Sequence, residues 1–178
     1  MDTLNFKVTP LGQTVLKYEA PLDVYNIINH IYETNFQKLP AANKQLVGKI
    51  EKEHSLFFDG PANNKMSPHN LLPDTVRGWF EKMFRHYLDF NKISDYKLHL
   101  NSVWVNTMFA HEYNPVHVHQ GALFTGLSSV MILKLPETFG VEYSSNDSPQ
   151  NGRLQILGSV SGQFAAIDYQ PELKERDF

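Results

Sequence analysis

The sequence predicts an α+β fold, in which a strand-rich second half builds a sandwich, jelly roll or barrel and helices pack on the outside of one sheet. Three observations lead there. Two amphipathic helical patterns precede Asp95. After Asp95 the chain turns to short apolar segments separated by loops rich in Asn, Ser, Pro and Gly. No internal repeat interrupts the pattern, and 178 residues with 42% hydrophobic content suit a single domain spanning residues 1–178 rather than two.

The elements follow in order. Leu4 to Tyr18 alternates apolar and polar residues around Pro10-Leu11-Gly12, which predicts two short strands joined by a turn, with Phe6, Val8, Val15 and Tyr18 inward. Pro21-Leu22-Asp23 opens a helix in which Val24, Ile27, Ile28, Ile31 and Tyr32 recur at spacings of three and four, ending near Leu39-Pro40. Asn43 to Leu56 is ambiguous, with a short helix over Lys44 to Val47 as one option, and Gly60 to Asn64 is a loop. A second helix runs from Pro73-Asp74 to about Phe90, with Val76, Trp79, Phe80, Met83, Phe84 and Tyr87 on one face and an acidic start that suits the helix dipole. Strands are then expected over Tyr96 to Phe109, Leu123 to Leu135, Leu154 to Val160 and Phe164 to Tyr169, with Tyr143 to Gly152 as a polar loop.

Composition excludes several classes of function. The 16 basic and 19 acidic residues are interspersed, giving a net charge of −3 and no electrostatic footprint for nucleic acid or an anionic membrane. There is no cysteine, hence no disulfide, thiolate nucleophile or Cys-type zinc site. The start of the chain has no apolar signal region and no window approaches the roughly 20 apolar residues of a spanning helix. A soluble, cytoplasmic protein is expected. No Gly-rich phosphate loop and no G-x-S-x-G elbow is present.

The chemistry-bearing stretch is His111-Glu112-Tyr113-Asn114-Pro115-Val116-His117-Val118-His119. Side chains alternate faces along a strand, so His117 and His119 point the same way and can grip one ion. A bare His-x-His is more often a strand edge making local hydrogen bonds. Here the pair follows a Pro-bearing loop and precedes a long apolar run whose Gly121, Ala122, Thr125, Gly126, Ser128 and Ser129 admit a ligand close to the backbone. Iron, zinc, copper and nickel suit imidazole. A third ligand has to come from a carboxylate, from an upstream histidine such as His111, or from outside the chain. On the preceding strand Trp104 and Asn106 share a face, as do Ser102 and Met108, and Asn106 is a candidate hydrogen bonder lining a pocket.

Trp104-Val105-Asn106, the loop to Asn114-Pro115-Val116-His117-Val118-His119, and the run Thr125-Gly126-Leu127-Ser128-Ser129-Val130-Met131-Ile132-Leu133-Lys134-Leu135-Pro136 together resemble the core of a 2-oxoglutarate and Fe(II)-dependent oxygenase family found in bacteria and marine phages. The opening strand Thr14 to Tyr18 and the helix after it are similar too, and the resemblance covers the whole chain. It implies a double-stranded β-helix, or jelly roll, with Fe(II) and 2-oxoglutarate as cofactors and hydroxylation of an unidentified small-molecule or protein substrate as the reaction. It places His117 as the first iron ligand and His119 where the usual carboxylate stands, which departs from the two-histidine, one-carboxylate pattern. The family's distal histidine and its cation for 2-oxoglutarate lie on late strands; no histidine follows His119, and of the later arginines neither Arg153 nor Arg176 matches that cation. The chain therefore reads as a member whose late strands are missing, incomplete for activity as given, with an exposed sheet edge that predicts poor solubility or pairing with another chain, an oligomer included. A phage-encoded member would work in the host cytoplasm.

Two other classes fit the same residues. One is a non-catalytic β-sandwich that serves as a binding or structural module, for instance of a phage particle. The other is a cupin-type metal protein completed by His111 or an acidic residue.

Overall fold

The computed structural model describes residues 5–10, 14–42, 48–58, 69–117, 126–141, 150–158 and 167–178. Among these residues the chain forms two helices and three small antiparallel sheets. It divides into two compact units, one made of Met1–Leu22 and Ser129–Phe178, the other of Asp23–Ser128. No helix among the described residues is long and apolar enough to cross a membrane.

In the first unit, β1 (Phe6–Pro10) and β2 (Thr14–Tyr18) pair antiparallel with Phe6 opposite Tyr18 and Val8 opposite Leu16. The expected pair of strands is there, but its inward face differs. Leu16 and Tyr18 are buried and Val15 is not. Period-two alternation requires this, since Val15 and Tyr18 are three apart and cannot share a face. Phe6 stays partly exposed while its ring lies 6.2 Å from that of Tyr18. The segment Arg176–Phe178 extends this sheet. Tyr18 and Phe178 exchange both backbone hydrogen bonds at 2.8 and 2.9 Å, and the Ala20 amide donates to the Arg176 carbonyl. On its other side the same segment exchanges hydrogen bonds with Ile132. A short pair, β6 (Ile156–Gly158) with β7 (Ile167–Tyr169), completes the unit.

The strand expected over Leu123 to Leu135 does not form within its described part. Residues 126–141 are irregular, and Ile132 alone among them makes ladder-like bonds to Arg176 and Asp177. Gly126, Ser128 and Ser129 offer little side chain to pack on a pleated surface, so apolarity here is not matched by strand-forming bulk.

The second unit is built around a three-stranded sheet and two helices. The first helix, α1 (Leu22–Asn35), buries Val24 and Ile28, with Ile27, Ile31 and Tyr32 half-buried. It ends at Asn35, earlier than Leu39, because the Asn35 amide and the Thr34 hydroxyl donate to the Ile31 and His30 carbonyls and the Asn35 carbonyl closes a turn to Lys38 and Leu39. The second helix, α2 (Asp74–Phe90), buries Val76, Phe80, Met83 and Leu88, with Trp79, Phe84 and Tyr87 half-buried. Pro73 precedes it with an extended backbone, and Asp74 in the first turn pairs with Arg77. It closes in a Schellman arrangement: the Ile93 amide donates to Leu88 and the Lys92 amide to Asp89, with Lys92 at φ +57° where glycine is usual.

The sheet order is β4–β3–β5, with β3 (Lys52–Phe58) central, β4 (His69–Asn70) on one side and β5 (Ser102–Thr107) on the other, all antiparallel. The Pro40–Ala42 segment also pairs with β3, the Ala42 amide donating to Glu53 and the Ser55 amide to Pro40. An irregularity between Ser55 and Phe57 inserts Leu56, which is fully buried. Of the predicted strand Tyr96 to Phe109, only Ser102–Thr107 is ladder-bonded. The ambiguous stretch from Asn43 resolves at its far end into β3, while Lys44 to Val47 and Gly60 to Asn64 lie outside the described residues.

Residues directly opposite in a ladder share a face. Lys52, His54, Val105 and Thr107 therefore lie on one face, where α1 meets them: the Tyr32 hydroxyl and Thr107 Oγ1 are 2.6 Å apart, and the Tyr32 and His54 rings 6.0 Å. Phe57 pairs with Val103 on that same face, and the Arg77 guanidinium of α2 sits 5.8 Å from the Phe57 ring. Glu53, Ser55, Trp104 and Asn106 share the opposite face.

Candidate functional site

The loop after β5 brings the chain to His117, and its course is fixed by contacts with the segment before β3. Lys49 and Tyr113 exchange backbone hydrogen bonds at 2.9 and 3.1 Å. The Glu112 carboxylate accepts from the Phe109 amide at 2.7 Å and from the Glu51 amide at 3.0 Å, tying the loop both to itself and to its neighbour. Gly48 makes the approach possible. A Cβ there would lie 2.3 Å from the Tyr113 carbonyl oxygen and 2.9 Å from the Asn114 Cα, both backbone atoms. His111 takes the left-handed conformation at φ +67° at the tip of the turn and is exposed.

His117 is exposed, and its Nδ1 lies 2.7 Å from the Pro115 carbonyl oxygen. A carbonyl only accepts, so Nδ1 carries the proton and the neutral ring holds its lone pair on Nε2. That is the arrangement in which ligating histidines are commonly held, and it fits the donor chemistry expected of an iron ligand. His119 lies outside the described residues, so the shared direction of the two rings rests on spacing. Among the described residues no three His, Cys, Asp or Glu side chains converge as a metal site.

Asn106 is exposed on the face it shares with Glu53, Ser55 and Trp104, with Trp104 at 37% exposure and Met108 exposed beyond the strand end. Of the two late arginines, Arg176 is engaged within its own unit: Nη2 lies 2.9 Å from Glu19 Oε1, and Nε donates to the Ala20 carbonyl at 2.9 Å. Arg153 is exposed.

Two groups beside the predicted site were not legible in the sequence. Glu53, opposite Asn106, is 6% exposed, and its Oε2 has no hydrogen-bond partner among the described residues. Burial pushes its carboxyl above the ordinary value of 4.5. His54 is its neighbour on the other face. Burial, and then the charge of Lys52, hold that imidazole below 6.5, and its Nδ1 is likewise without a partner among the described residues. Neither residue sits in a recognisable motif. The signal that would have found them is strand β3 itself, whose Lys-Glu-His-Ser opening shows no apolar alternation.

Comparison with protein-family models, with curated proteins and with solved structures finds no match for this chain.

Proposed function

We propose that this chain is a 2-oxoglutarate- and Fe(II)-dependent dioxygenase domain with a jelly-roll core, in which His117 and His119 hold the metal and Asn106 lines the cosubstrate pocket. The observation that carries the reading is the His117 ring, whose Nδ1 proton is committed to the Pro115 carbonyl so that Nε2 is the ligating nitrogen. Two features support it. The loop before His117 is pinned by Glu112 and the Lys49–Tyr113 bridge to the segment that leads into β3. The Tyr32–Thr107 and Arg77–Phe57 contacts fall on one face of that sheet, and Asn106 is on the other. Bound Fe(II) would supply the redox chemistry that couples decarboxylation of 2-oxoglutarate to hydroxylation. The chain's own part is to ligate through imidazole, to orient the cosubstrate through the Asn106 amide and to hold the loop still. With His119 in the carboxylate position the site carries one less negative charge than the usual triad, which weakens its hold on the metal. A phage-encoded member would act in the host cytoplasm.

The test is anaerobic Fe(II) binding by equilibrium dialysis, followed by Fe(II)-dependent succinate release from 2-oxoglutarate. Binding that disappears in both His117→Ala and His119→Ala supports the site; metal-free protein with no succinate release refutes it. The second reading is a non-catalytic binding module, favoured by the exposed apolar residues Met108, Phe109, Tyr113 and Val116 along the loop. It predicts purification without stoichiometric metal.

A further inference from the structure

The β1–β2 sheet buries Leu16 and Tyr18 on one face and carries charge on the other. On that second face Lys7 stands directly opposite Lys17, and like charges so placed destabilise a strand pair. Arg176–Phe178, on the other side of β2, brings Asp177 opposite Glu19 and so onto the same face. Against these residues lies a cavity of about 310 Å³, at the small end for a ligand pocket. Its lining includes Lys7, Lys17, Glu19, Lys174, Glu175 and Asp177, all within the first unit.

The charges around this cavity are unequally matched. The Asp177 carboxylate takes both the Lys17 ammonium, at 2.6 Å, and the Lys174 backbone amide, at 2.7 Å. Lys17 also donates to the Glu172 carbonyl at 2.9 Å, so its ammonium is fixed from two sides. Glu19 is held by Arg176, and Glu175 accepts from the Leu135 amide. Every carboxylate of the lining thus has a partner. The ammoniums of Lys7 and Lys174, both on exposed residues, have none among the described residues. Two unmatched cations beside a third that is anchored form a receptor for an anion of more than one charge. Lysine acts as a point charge and suits the compact phosphate monoester, whereas a planar carboxylate is better met by the fork of arginine. The nearest guanidinium, that of Arg176, is engaged by Glu19 and by the Ala20 carbonyl. Carboxylates accept and cannot donate, so the groups they tolerate next to a bound phosphate are hydroxyls.

We propose that this cavity binds a small polyol phosphate, with Lys7 and Lys174 meeting the phosphate, Lys17 adding its charge from the wall, and hydroxyls of the stem donating to Glu19 and Asp177. The site uses neither His117, Asn106 nor a metal and is independent of the oxygenase reading.

The experiment is isothermal titration calorimetry of the whole metal-free chain with sorbitol 6-phosphate, sorbitol, gluconate and inorganic phosphate, at about 0.15 M salt, where diffuse attraction is screened. Sorbitol 6-phosphate is expected to bind saturably and inorganic phosphate about tenfold more weakly, the worth of one hydrogen bond to a charged group. Sorbitol and gluconate should give no measurable binding. Lys7→Ala and Lys174→Ala should each weaken sorbitol 6-phosphate about fivefold, the upper worth of an exposed ion pair, and the double variant about twenty-five-fold. Both changes leave the backbone hydrogen bonds in place. Lys134→Ala removes an exposed lysine of the same unit outside the lining and should leave affinity unchanged. Gluconate or inorganic phosphate binding as tightly as sorbitol 6-phosphate, or no binding at all, would overturn the proposal. So would unchanged affinity in the double variant, or a loss in Lys134→Ala as large as in Lys7→Ala.

Discussion

Replacing Glu53 by glutamine keeps the size of the side chain and removes its charge, so it isolates what burying that charge costs. The carboxyl is 6% exposed, with one oxygen unpartnered among the described residues. A buried polar group left in that state costs about 1–3 kcal/mol. Its pKa lies above 4.5 in the folded chain because of burial. Below 4.5 the group is protonated in both states and adds no pH dependence. As pH rises through the folded pKa, the unfolded chain has already released its proton, and native stability falls. Relative to the parent, Glu53→Gln should therefore gain about 1–3 kcal/mol of stability on going from pH 4 to pH 8. With a urea dependence of about 2 kcal/mol/M, its midpoint rises relative to the parent's by roughly 0.5–1.5 M over that range. Both tryptophans, Trp79 and Trp104, belong to the unit that holds Glu53, so their fluorescence reads the relevant transition. His54 works in the opposite direction. Its lowered pKa makes the unfolded chain take up a proton first as pH falls below 6.5, costing stability in acid. Parent and variant share that loss, and the difference between them cancels it. A variant whose stability relative to the parent is the same at pH 4 and pH 8, or falls between them, would refute the reasoning.

Gly48→Ala should cost about 1–3 kcal/mol, because the new methyl meets the Tyr113 carbonyl at 2.3 Å and backbone has to move; urea unfolding gives the cost, and faster amide exchange at Tyr113 shows where it falls. Glu112→Ala should lose about 1–3 kcal/mol with the two amide hydrogen bonds its carboxylate accepts and, if His117 holds metal, also weaken Fe(II) binding by loosening the loop, read by the same unfolding and dialysis experiments. Lys92→Gly should stabilise by up to about 1 kcal/mol, since the left-handed conformation at φ +57° strains a side chain more than the added freedom of glycine costs in the unfolded chain; a lower thermal midpoint than the parent would contradict it.

What the sequence revealed follows from where stability is decided. The helices were legible because their apolar spacing is local: Val24 and Ile28, then Val76, Phe80 and Met83, recur at helical intervals and are buried in the folded chain. The β1–β2 pair was legible for the same reason, although its inward face had to be corrected to Leu16 and Tyr18. Strand β3 was not, because Lys52-Glu53-His54-Ser55 becomes extended only through partners supplied by Pro40–Ala42 and by β5, about fifty residues away in the chain as the register pairs Lys52 with Thr107. The converse holds at Leu127 to Leu135, where an apolar run reads as a strand but offers ladder bonds at Ile132 alone among its described residues.

The same division explains the site. His117 and Asn106 announce themselves by residue type and spacing, whereas Glu53 acquires its meaning only when pairing places it opposite Asn106. A glutamate on a solvated loop is unremarkable; the same side chain under a sheet raises its own pKa and lacks a partner among the described residues. If Glu53→Gln stabilises the fold at high pH, the buried carboxyl is a burden that the strand pairing imposes on the sheet, and the chemistry of this chain has to be sought at His117 instead.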